Sequence, residues 1–176
     1  DLANGTNYSV TVAAGVIKDS AGNSWAGTGT TPYSFTTVAD TTAPLLSSIS
    51  PTSSATGVAV GANFVLTFNE AVKAGTGAFV VKSGTTTVAT INATDTSQVT
   101  FNGSTVTINP TSDLANGTNY SVTVAAGVIK DSAGNSWAGT GTTPYSFTTV
   151  ADTTATTPNS TPPVSKVILS NQNLDR

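Results

Sequence analysis

DLANGTNYSVTV, residues 113 to 124, sets a leucine, a glycine and then a tyrosine ahead of an alternating run. In that run Tyr120, Val122 and Val124 fall on one face of an extended chain. Such an approach to a strand is the pattern of a tyrosine corner, where the phenol bonds back to the upstream backbone and locks the chain as it starts a new strand. The plainer reading, that Tyr120 is one more strand aromatic, stands beside it. The same twelve residues also open the chain, as part of a longer duplication. Asp1 to Ala43 reappears unchanged as Asp113 to Ala155, a period of 112 residues. That is the size of one domain and well beyond a solenoid unit, so the sequence describes beads on a string.

Around the corner, Val, Thr, Ile, Tyr and Phe alternate with polar residues in short runs between Gly, Asn, Asp and Pro clusters, and helix signals are nearly missing. The chain reads as all-β. Strands are expected at Leu45 to Ser50, Asn63 to Phe68, Ala78 to Lys82, Thr86 to Ile91, Gln98 to Phe101, Thr105 to Asn109, Thr118 to Val124 and Tyr145 to Thr149. Phe64, Leu66 and Phe68 share one face, as do Tyr145 and Phe147, and these faces supply the core. In VTFNGSTVTI, Val99 to Ile108, Asn102 and Gly103 separate two alternating runs, the signal for a hairpin with a type I′ turn. Eight short strands in one period suit two packed sheets better than a closed barrel. Together with the corner, they point to an immunoglobulin-like β-sandwich.

One full period fits only once. The expected division is the C-terminal part of an identical repeat over residues 1–43, a complete domain over 44–155, and a Thr/Pro-rich linker or the start of another module over 156–176. The leading part holds two strands, which seldom bury enough apolar surface to be stable alone. It could not fold back and replace its twin. In a sandwich of this kind the chain comes in at one pole and leaves at the other, whereas Ala39 to Ala43 reach at most about 17 Å. In the tail, TPNSTPP reads as an extended spacer. Val164 to Leu169 then reads as a strand of a different module, or as one that adds to an exposed sheet edge.

SSISPTSSATGVAVGANFVLTFNEAV (Ser47 to Val72), followed by LANGTNYSVTV (Leu114 to Val124), KDSAGN (Lys130 to Asn135) and YSFTT (Tyr145 to Thr149), resembles the bacterial Ig-like domain of S-layer type. The resemblance covers Pro44 to about Thr149 and the partial copy at Asp1 to Thr37. It implies tandem arrays on cell-surface or secreted proteins, an extracellular place, and a spacer or adhesin-like role rather than catalysis.

Composition narrows the chemistry. Charged residues are 9% of the chain and the formal net charge is −3, which opposes nucleic acid and anionic membranes as partners. Histidine, cysteine and methionine are absent, which removes His- and Cys-based catalysis, thiolate metal sites and disulfides. No run approaches 18 apolar residues, so membrane insertion is not expected. Seven Asn-x-Ser/Thr sequons occur, but threonine makes up about a fifth of the chain and chance supplies most of them.

Nine carboxylates are the only candidates for a site. Sandwich topology gathers Glu70 of FNEAV, Asp131 and Asn135 of KDSAGN, and the linker residue Asp40 at the pole where the chain comes in. Hard oxygen donors from loops and a linker are what calcium takes, six to eight at a time, and the ion would stiffen the joint between modules. The plainer alternative is a turn over Asp131 to Asn135, with Glu70 bonded to loop amides or paired with Lys73 or Lys130. Asp95 in NATDTS reads as a turn residue. Glu70 and Asp131 are also the one pair that could serve glycoside hydrolysis, and nothing else in the sequence suggests a sugar cleft. Trp25 and Trp137 lie in Gly-rich loops, where an indole either caps the sandwich end or stacks on a ligand.

Three functions follow. The first is a non-catalytic spacer whose partners are neighbouring Ig-like modules of the same chain. The second is a module that binds a surface glycan or a protein through the loops around Trp137. The third is an accessory domain of a secreted hydrolase.

Overall fold

The computed structural model describes residues 2–155, so the expectations for the linker and the Val164 to Leu169 strand lie outside the described residues. Everything regular in it is β. Two strands, β1 (Asn7–Val10) and β2 (Tyr33–Thr36), form a sheet of their own. Beyond Pro44 come β3 (Leu46–Ser50), β4 (Ala55–Val58), β5 (Phe64–Phe68), β6 (Val72–Ala74), β7 (Ala78–Ser83) and β8 (Thr86–Asn92). They are followed by β9 (Val99–Asn102), β10 (Thr105–Ile108), β11 (Asn119–Val124), β12 (Ile129–Asp131) and β13 (Tyr145–Thr149).

A four-stranded sheet in the order β3-β5-β10-β9 faces a five-stranded sheet in the order β4-β13-β11-β7-β8, and β6 pairs with β12 beside them. The alternation read from the sequence sets what lies between the sheets. Phe64, Leu66 and Phe68 from one sheet and Tyr120, Val122, Val124, Tyr145 and Phe147 from the other are all buried. Phe64 and Phe147 meet across the gap with ring centroids 5.5 Å apart. The expected sandwich is therefore present, with all eight expected strands within a residue or so of their positions.

Three strands were not foreseen: β4, β6 and β12. Each is three or four residues long, too short for a period-2 pattern to declare itself. The hairpin of β9 and β10 also differs in its turn. Asn102 pairs with Thr105, so the two-residue loop is Gly103–Ser104 rather than Asn102–Gly103. Gly103 has φ +57° and Ser104 is not in the left-handed region, the pattern of a type II′ turn with glycine first. Tertiary contacts select it, because the Gly103 and Ser104 carbonyls accept bonds from the Val72 and Phe68 amides.

The tyrosine corner forms as read. The Ala115 N–H donates to the Tyr120 phenol oxygen at 2.9 Å, and Thr149 Oγ1 donates to the Ala115 carbonyl at 2.7 Å. The leading copy repeats both, with Ala3 on Tyr8 at 2.8 Å and Thr37 on Ala3 at 2.6 Å.

The chain reaches β3 beside the end of β5, where the Leu45 amide donates to Asn69 Oδ1 at 2.7 Å. It leaves at the other end of β5, past β4, where the Val150 amide donates to the Val58 carbonyl. The two ends thus lie at opposite poles. Residues 39–43 cannot carry the leading copy around to the place of its twin.

Candidate functional site

The pole where the chain comes in is built from three segments. β5 closes at Phe68, and the Asn69 side chain and backbone hold Leu45, which fixes the linker's path into β3. The turn that follows presents Glu70, the only glutamate in the chain. β12 ends on Asp131, from which KDSAGN turns back toward Trp137. The linker supplies Asp40. Carboxylate oxygens of Asp40, Glu70 and Asp131 lie within 4.8 Å of one another.

Their environments differ sharply. Asp131 is 1% exposed, and its Oδ1 accepts from the Gly134 amide at 2.6 Å and the Asn135 amide at 2.7 Å. Its Oδ2 accepts from Asn135 Nδ2 at 2.7 Å. Burial pushes this carboxyl up, but the bonds from Asn135, Gly134 and Ala133 outweigh it and hold Asp131 below the ordinary carboxylate range. Glu70 is shifted the other way. Partial burial raises it first, and the charges of Asp131 and Asp40 raise it further. Lys73 does not relieve it, since its ammonium donates to the Ser132 carbonyl at 2.8 Å.

Asn135 has a second role. Besides Asp131, its Nδ2 faces the carbonyls of Asp40 at 3.2 Å and Thr42 at 3.1 Å, so it ties the linker to the turn. All three partners are acceptors, which fixes the orientation of the amide. Only Oδ1 of Asn135 is then left to act as a metal ligand. The twin residue Asn23 bonds Asp19 in the same way, at 2.8 Å from side chain to side chain.

The remaining sequence candidates resolve simply. Asp95 is a turn residue: Oδ1 accepts from the Ser97 amide and hydroxyl, and Oδ2 from Gln98 Nε2 at 2.7 Å. Trp137 is the lid of the sandwich end, 6% exposed and edge-on to Phe68 at 5.3 Å. Its ring is not free to stack on a ligand. Two residues that fix the site's geometry were not foreseen, Asn69 and Lys73. Nothing in their sequence surroundings distinguishes them from ordinary turn and strand residues.

Hard oxygen donors that converge from a linker and two loops of a sandwich pole match the chemistry of a joint between modules. A family model described as bacterial Ig-like domain matches residues 1–37 and again 40–149. The chain belongs to the bacterial Ig-like domain family. The second match takes in both large sheets and the acidic pole, and the first takes in the leading copy. No curated protein and no solved structure matches the chain. Bacterial Ig-like domains are typically carried by extracellular or surface proteins and are generally non-catalytic modules. No helix among the described residues is long and apolar enough to cross a membrane.

Proposed function

We propose that this chain is part of a spacer in a cell-surface or secreted bacterial protein, assembled from tandem Ig-like modules and stiffened by calcium at each joint. In this reading residues 44–155 are one complete module and residues 1–43 the rear part of an identical one before it. The observation that carries the proposal is the meeting of Asp40, a linker residue, with Glu70 and Asp131 of the module that follows. Three carboxylates this close repel one another, and a hard divalent cation relieves that repulsion with the ligands it prefers. Asp40, Glu70 and Asp131 would hold the ion. Asp131 Oδ2 keeps a lone pair beyond its bond to Asn135. An ion shared between linker and module resists bending of the joint, so each module adds length in a defined direction.

Thermal melting with calcium and with EDTA tests this. At a calcium concentration about a hundredfold above Kd, binding contributes about 2.7 kcal/mol. For a domain of this size that is a rise in Tm of about 10 °C. An unchanged midpoint would sink the calcium reading.

A further inference from the structure

The two copies of the 43-residue segment fold alike and differ in what covers them. Tyr8, Phe35 and their neighbours pair in the same register as Tyr120 and Phe147: Tyr8 faces Phe35 as Tyr120 faces Phe147. The Lys18 and Ser24 bridge repeats as Lys130 and Ser136. In the trailing copy the inward face is closed. Ile129 is 0%, Trp137 6% and Tyr145 6% exposed, whereas their equivalents Ile17, Trp25 and Tyr33 are 52%, 45% and 68% exposed.

What closes the trailing copy is residues 44–112. β7 pairs along β11, β4 pairs along β13, and Phe64 stacks against Phe147. The leading copy has the same side chains in the same places. Among the described residues, β1 pairs only with β2, which leaves both outer edges of that sheet unpaired.

We infer that the exposed face of residues 2–37 is an acceptor surface, and that its partner is a second copy of residues 44–112. The surface already forms this interface once within the chain, with identical residues on the acceptor side, so the occupant is specified by sequence. Exchange between two chains would not supply it. Each donor segment freed in that way would leave its own trailing copy bare, so the count of closed faces would not change. The donor has to be an additional copy, and placing it upstream in the same protein rests on the array reading above. The complementarity of the face does not rest on that reading.

The experiment is a chain extended at its N-terminus by a second copy of residues 44–112, compared with the original chain by amide hydrogen exchange and tryptophan emission. Protection at Tyr8–Val10 and Tyr33–Phe35 is expected to rise about a thousandfold or more, toward that of core strands. In a Trp137→Phe background, Trp25 emission shifts to the blue. Tyr120–Val124, already closed, is the internal reference for a folded molecule. Unchanged exchange in the leading strands would overturn the inference. So would protection that survives Phe79→Asp and Val81→Asp in the added copy alone, because the contact would then not depend on the core pattern. A leading copy protected in the original chain by self-association, with a dimer in sedimentation, would overturn it as well. An EDTA-insensitive melt would remove calcium from the joint and leave every one of these outcomes standing.

Discussion

Tyr145 carries a hydroxyl that is buried with no partner in the protein, and burial pushes its phenol well above its ordinary range. An unpaired buried hydroxyl costs stability, so Tyr145→Phe is expected to stabilise the module by about 1 kcal/mol, seen as a higher midpoint in denaturant. Glu70 is the other strained residue. Raised by burial and by Asp131 and Asp40, it is destabilising when ionised. As pH falls from neutral in EDTA, the folded chain takes up this proton before the unfolded chain does, and stability rises. Lower still the order reverses. Asp131 and Asp95 are held below their ordinary values, so the unfolded chain binds those protons first and stability is lost as pH falls through their folded pKa values. Tm against pH should therefore peak on the acid side of neutral. Glu70→Gln is expected to raise Tm in EDTA, flatten the acid-side rise and abolish the calcium increment. A variant that melts lower in EDTA would show that the Glu70 charge is not repelled.

At the scale of the elements, the loop from β12 to β13 is set by a close approach. Gly139 has φ +78°, and a Cβ there would meet the Val124 carbonyl oxygen at 2.2 Å; Gly27 in the leading copy has φ +77° and the same clash with Val12 at 2.3 Å. Gly139→Ala should therefore cost the module about 2 to 4 kcal/mol. Gly27→Ala, with the same local chemistry, should leave the main melting transition where it was, because the leading hairpin does not share the module's core. Calorimetry on the two variants checks both. The long strands and the corner were legible because Phe64 to Phe68 and Tyr120 to Val124 alternate over five or more residues and one face of each is buried. β4, β6 and β12 were not, since their pairing is decided by segments distant in sequence. The β9–β10 turn was misplaced for a related reason. Asn-Gly propensity is local, whereas the bonds from Val72 and Phe68 that fix the loop come from another hairpin. The acidic pole could be read from topology alone. Asn135 as a clamp on the linker could not, because that depends on where the Asp40 and Thr42 carbonyls point.

For the whole molecule, the joint is the feature with consequence, and Asn135 offers a way to separate its two supports. The amide holds the linker carbonyls without any metal, while the carboxylates would hold it through one. Asn135→Ala should therefore loosen the joint in EDTA and leave calcium able to restore part of its order. Asn23→Ala removes the matching bond to Asp19 in the leading copy, where no bond to a linker is made, and should leave the joint unchanged. The chain lacks cysteine, so Ser9→Cys and Ser48→Cys would place the only two thiols on exposed strand positions either side of the joint. Spin labels there report its motion as the width of their distance distribution. A narrow distribution is expected for the parent chain, a broad one for Asn135→Ala in EDTA, and a partly narrowed one when calcium is added. Equal broadening by Asn23→Ala would mean that the KDSAGN turn matters only for its own fold. No broadening by Asn135→Ala would mean that the linker is held by Asn69 and Leu45 alone.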